Sequence, residues 1–95
     1  MDKIKKMECH LQDEARGAQK YAEKYIFYAD SKPEWAKTYA EMARQEVSHA
    51  KHLHRMYQES VDEMRWVPED ALADWEHCVA KAMETIALVE LMLSK

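Results

Sequence analysis

Three side chains in this sequence have the types and the spacing to hold a metal ion: Glu14, Glu46 and His49. The last two stand in Glu46-Val47-Ser48-His49, and residues three apart on an α-helix lie one turn apart on one face. A carboxylate and an imidazole so placed can bind one ion together, with the carboxylate free to bridge to a second. Twelve Glu and five His in 95 residues give about 0.6 such Glu-x-x-His pairs by chance, so the pair alone decides nothing. Its weight comes from the surrounding pattern. At helical spacing the first part of the chain reads Met7, Leu11, Glu14, Ala18, Tyr21, Tyr25, Tyr28, and the second reads Met42, Glu46, His49, Leu53, Met56. Both rows are apolar or amphipathic except at the three potential ligands. Ionised carboxylates in an apolar row cost several kcal/mol unless a cation or a hydrogen-bond donor compensates them.

Helices must position these groups. From Asp2 to about Ala29 only Gly17 disfavours a helix, at a cost of about 1 kcal/mol. Asp30-Ser31-Lys32-Pro33 predicts a short connection, with Ser31 and Glu34 spaced as a capping box and Pro33 in a first turn whose amides lack partners. The second helix is expected over about 32–65 and is stopped by Trp66-Val67-Pro68; the third is expected over about 69–93, with Glu69 and Asp70 at its positive end. Two helices of roughly 40 to 50 Å joined by so few residues must fold back as an antiparallel hairpin. Glu14 lies about 17 residues before Ser31 and Glu46 about 15 after it, which brings them to similar height. The third helix carries a heptad stripe of Leu72, Trp75, Val79, Ala82, Ile86, Val89 and Leu93, read as core or interface.

The expected fold is therefore all-α, one helical domain spanning 1–95. A third helix of 25 residues cannot cover all the apolar surface of so long a hairpin, so dimerisation into a four-helix core is expected. A two-fold axis would then gather Glu14, Glu46 and His49 with their symmetry mates, giving the four carboxylates and two imidazoles that hold two metal ions in helical bundles.

Composition narrows the function classes. A formal charge of −4 with no cluster of Lys and Arg argues against nucleic acid as a partner and suits the handling of cations. Nowhere do eighteen apolar residues run together and the first residues, MDKIKKMECHLQDE, hold no apolar signal core, so no membrane span is expected and the cytoplasm is the expected location. Cys9 and Cys78 are too few for a disulfide framework and are expected as reduced, packing thiols.

The segment DEARGAQKY, followed 32 residues later by QEVSHAKHL, resembles the ferritin-like superfamily, above all its rubrerythrin-like and encapsulated-ferritin branches. There a Glu of the first helix precedes a Tyr by seven residues and the second helix carries Glu-x-x-His-Ala. The resemblance covers roughly residues 8 to 60. It implies a di-iron centre with Glu14, Glu46 and His49 as ligands, and Tyr21 as the tyrosine beside them, the one candidate catalytic side chain. It further implies Fe(II) oxidation by oxygen or peroxide, as a ferroxidase or peroxidase-like oxidoreductase. Half-length members dimerise to build the site, and a larger homo-oligomer or an encapsulating shell stays open. The chain lacks a second Glu-x-x-His and any C-x-x-C module for electron delivery. Oxygen-rich ligation stabilises Fe(III) over Fe(II), although manganese or zinc would also fit such ligands.

Other histidines are discounted. His52 sits beside the stripe, His54 is expected in solvent, Asp74 and His77 share a face with Lys81 and Glu84, and His10 with Glu14 reads as a surface pair. The alternative is a non-catalytic structural or partner-binding helical module in which Glu14, Glu46 and His49 only pair within the bundle, with Arg16, Arg44 and Lys51 at hand.

Overall fold

A computed structural model describes residues 2–95. Three helices, α1 (Asp2–Tyr28), α2 (Pro33–Asp62) and α3 (Glu69–Leu93), account for the ordered secondary structure, and no strand occurs among the described residues. They pack into a rod of 53 × 19 × 17 Å. The length is that of α1 and α2 laid side by side, since 30 residues at 1.5 Å each extend about 45 Å. α3 returns antiparallel to α2 and parallel to α1. Trp75 Nε1 donates to Gln58 Oε1 at 2.9 Å and Lys51 Nζ pairs with Glu90 Oε2 at 3.0 Å, while Cys78 Sγ approaches the Glu8 carbonyl at 3.8 Å and Tyr25 donates to the Lys95 carbonyl at 3.1 Å.

The first connection is tighter than a capping box requires. Lys32, with φ −143° and ψ 73°, occupies the cap position of α2 and no side chain caps it, so the expected Ser31–Glu34 box is not formed. Pro33 explains this: it fills the first helical position and drives the residue before it into extended backbone. The Lys32 amide still bonds back to the Tyr28 carbonyl at 2.9 Å, and its own carbonyl accepts from Ala36 at 3.0 Å. One residue thus serves both helix ends. Its ammonium lies 4.2 Å from the centre of the Trp35 ring.

At its other end α2 stops at Asp62, short of the expected Arg65. The last turn tightens, with Glu63 bonding to the Glu59 carbonyl and Met64 to that of Val61. Leaving here lets Met64 and Val67 pack against the core as the chain crosses to α3. α3 then begins as read from the sequence, at Glu69 after Pro68.

The core runs along a row of small residues. Ala15, Ala18 and Ala22 of α1 face Ala36, Ala40, Ala43, Val47 and Ala50 of α2, and Leu11, Trp75, Ile86 and Val89 fill the space on the α3 side. On α3, Trp75, Ala82, Ile86 and Val89 of the expected stripe are buried, Leu72, Val79 and Leu93 are half-buried, and Cys78 joins the core. Burial pushes the Cys78 thiol pKa up. Cys9 is exposed, so only one of the two thiols packs as expected. On α2 the buried row lies one residue beside the expected Met42, Glu46, His49, Leu53, Met56. That row faces a seam between core and solvent, on the side of the hairpin away from α3. No helix of the described residues is long and apolar enough to cross a membrane.

Candidate metal centre

Glu14 on α1 meets Glu46 and His49 on α2, and one ligand atom from each lies within 4.8 Å of the others. The expected height match across the hairpin therefore holds. His49 Nδ1 is 3.6 Å from Glu14 Oε2 and 3.7 Å from Glu46 Oε1. The side chains of Glu14 and Glu46 are 20% and 25% exposed and that of His49 is 59% exposed, so the carboxylates lie at the floor and the imidazole at the rim. Among the described residues no polar side chain is fully buried, and the inward position read for the two acids becomes a half-buried one in the single chain.

The floor is electrostatically unsettled. Glu14 Oε2 is buried and has no hydrogen-bond partner, in a class of atom that is nearly always satisfied. The pKa of Glu46 is raised from 4.5 to about 7, first by its hydrogen bond to Glu14, then by burial and by the Glu14 charge, with His49 acting in the opposite direction. The Glu14 carboxylate beside it and burial hold the Glu46 carboxyl toward its neutral form, and a neighbouring cation would reverse that preference. Arg16, Arg44 and Lys51, the cations expected to be available, form no ion pair with either acid; Lys51 pairs with Glu90 instead.

Gly17, the only glycine, explains how Glu46 reaches α1. A Cβ added there would stand 3.0 Å from Glu46 Oε2. The sequence showed this residue only as a flaw in a helix; the close approach it permits depends on a residue of another element, which no local pattern encodes. Tyr21 is half-buried on the same face, two turns beyond Glu14, with its ring stacked on Tyr39 at 6.2 Å between centroids. Tyr28 stacks on Tyr39 in turn and meets Trp35 edge-on. Tyr21, Tyr39 and Tyr28 thus form an aromatic stack between the site and the hairpin tip, while Tyr25 of the expected row turns to the Lys95 carbonyl instead.

The discounted histidines separate. His52 bonds to the Ser48 carbonyl and lines a groove with Arg44, Lys51 and Arg55 on the far side of α2, and Asp74 and His77 are exposed. His54 is half-buried rather than solvated. His10 pairs with Glu14 at the surface as expected, its Nε2 3.6 Å from Glu14 Oε1, and its Nδ1 in addition lies 2.6 Å from the Tyr57 hydroxyl.

The donor set fits a divalent ion. It offers two carboxylates and one imidazole, with an orphaned oxygen and a displaceable proton where a positive charge would sit. Three donors from one chain leave coordination positions for other ligands. No family model matches the chain, and searches of curated proteins and of solved structures give no significant match.

Proposed function

We propose that this chain is one half of a carboxylate-bridged di-iron protein of the ferritin-like type, whose substrate is Fe(II) and whose site is completed by a second copy. The observation that carries the reading is the Glu14, Glu46 and His49 cluster with its buried, unpartnered Glu14 Oε2. Glu14, Glu46 and His49 would hold the ions, the two acids through carboxylate oxygens and His49 through its imidazole. When bound, the ions supply the redox chemistry, each Fe(II) giving one electron to oxygen or peroxide, and the carboxylates favour the ferric product. The chain's own part is to give up the Glu46 proton, to keep Glu14 Oε2 out of water and to leave the rim at His49 open for entry. Tyr21 contributes the nearest aromatic wall toward the hairpin tip.

The surface around the site supports a second copy as its cover. Trp35 is 51% and Met56 57% exposed on the face that carries Glu46, with Met42 and Leu53 half-buried between them. Along α2, Trp35 stands eleven residues before Glu46 and Met56 ten after it, roughly 15 Å on either side. A two-fold axis through the site and perpendicular to the helices would set Trp35 on Met56 of the partner subunit and bring the two ligand sets together. Four carboxylates would then face one another, so the dimer should tighten when metal is present.

Titration with Fe(II) under anaerobic conditions, followed by exposure to oxygen, tests the reading. About one Fe per chain should bind, and oxidation should outpace that in buffer. Glu46→Ala and His49→Ala should lose both properties with helix content unchanged. A purely structural role for the cluster predicts no metal dependence of any kind, and its expected salt-bridge partners are engaged elsewhere or turned away.

A further inference from the structure

The two oxygens of Glu14 are not equivalent. Oε2 faces His49 and is buried without a partner, whereas Oε1 faces His10 Nε2 at 3.6 Å, beyond hydrogen-bond length but close enough for an N–H dipole to orient it. His10 is itself held. Its Nδ1 lies 2.6 Å from the hydroxyl of Tyr57, 47 residues away on α2, and the two rings meet at 53° with centroids 5.9 Å apart. Tyr57 is packed against the hydrophobic core, so its hydroxyl is anchored although His10 is half in water. The Tyr57 hydroxyl is placed to donate to Nδ1, the arrangement that leaves Nε2 to present its N–H to Glu14.

We propose that Tyr57 and His10 form a brace that fixes which oxygen of Glu14 faces the cation, making both of them positioning residues for the site. The inference rests on the metal-binding reading of Glu14, Glu46 and His49. Without the brace the Glu14 carboxylate can turn about its terminal bond, toward solvent or further onto Glu46, and the preformed site is lost. Partners that orient a metal-binding side chain commonly change metal affinity ten- to a hundredfold when removed, even though they never touch the ion.

Co(II) is the probe, because it absorbs in the visible range when bound to oxygen and nitrogen ligands and does not oxidise readily there. Full-length protein would be titrated at fixed pH as wild type, Tyr57→Phe, His10→Ala and the double variant, with thermal unfolding of each metal-free protein as control. Tyr57→Phe removes one hydroxyl and is expected to fold normally while binding Co(II) about tenfold or more weakly, with an altered visible spectrum. His10→Ala should show a similar loss. The double variant should be no weaker than His10→Ala alone, because Tyr57 acts through His10. Wild-type protein that binds Co(II) alongside a Tyr57→Phe variant of the same affinity and spectrum overturns the brace and leaves the site standing. A severe loss confined to His10→Ala also overturns it, and makes His10 a ligand. Wild-type protein that binds no Co(II) removes the site and the brace together.

Discussion

Replacing Gly17 by Ala should make the protein more stable and a poorer metal binder. Gly17 lies in the middle of α1 with ordinary helical backbone, so no left-handed conformation requires a glycine there. Alanine should stabilise the helix by about 1 kcal/mol, which in a chain of this size raises the melting temperature by roughly 4 to 8 °C. The added Cβ, however, would stand 3.0 Å from Glu46 Oε2 and 3.7 Å from Cδ. Ordinary contact begins near 3.4 Å, so the oxygen must withdraw by about 0.4 Å, the difference between 3.4 and 3.0. A carboxylate at the end of a flexible side chain can do this at little cost to folding. Metal–oxygen distances tolerate only about 0.2 Å, and Oε1, the oxygen that faces His49, is carried along as the carboxylate withdraws, which should weaken Co(II) or Fe(II) binding about tenfold, roughly 1.4 kcal/mol.

The assay is a pair of measurements on one variant: thermal unfolding without metal and calorimetric titration with Co(II). Opposite signs are the expected result. A melting temperature that rises while affinity stays within a factor of two would show that Glu46 has another way to reach the ion and that the glycine is not there to admit it. A fall in melting temperature would show that the clash is borne by the backbone, and that the carboxylate is less mobile than its position at the seam implies.

Further outcomes follow from the same geometry. In metal-free protein Glu46 keeps its proton up to about pH 7 in the folded state but loses it near 4.5 when unfolded, so stability should decline as pH rises between these values and then level off. The full displacement corresponds to about 3 kcal/mol, and to about 2 kcal/mol once partial exposure is allowed for. Glu46→Gln should abolish that decline in urea unfolding measured from pH 4.5 to 8, and a slope that survives the substitution would place its origin elsewhere. Met56→Lys should leave the fold intact and raise the dissociation constant of any metal-loaded dimer at least tenfold by sedimentation, because a charge would be pressed against an apolar cover. Trp75→Ala should cost about 3 to 5 kcal/mol in unfolding free energy, since it empties a fully buried indole volume and orphans the Gln58 carbonyl. A loss under 1 kcal/mol would mean that α3 docks without it.

Much of the fold was legible because its punctuation is chemical. Pro33 and Pro68 mark where α2 and α3 begin, and the long helical runs they delimit hold nothing that disfavours a helix except Gly17 in α1. The end of α2 was not legible. Its position depends on Met64 and Val67 folding back onto a core contributed by other helices, which outweighs the helical preference of residues 63 to 65. The buried row on α2 was misplaced by one residue for a related reason. Large side chains at 42, 53 and 56 suggested the core, but Ala36, Ala40, Ala43 and Ala50 take it, because small residues let α1 and α2 approach closely. The clustering of Glu14, Glu46 and His49 could be read despite this, since acids interrupting an apolar row stand out whichever side of that row is innermost. The link from His10 to Tyr57 could not, because it joins residues 47 apart.

The one-residue displacement also bears on how such a site could work. Had Glu14 and Glu46 occupied the alanine row, both would be sealed between the helices, protonated, and closed to any ion. On the outer surface, water would satisfy their oxygens and no site would be preformed. At the seam the two requirements are divided between side chains: Glu14 Oε2 is dry and unpartnered, while His49 reaches into solvent with more than half its surface exposed. An ion arriving at the imidazole would meet a buried oxygen that lacks a partner and a Glu46 carboxyl whose proton it could displace. The same position leaves Trp35 and Met56 uncovered on either side, so the surface that admits the ion is also the surface a second copy would close.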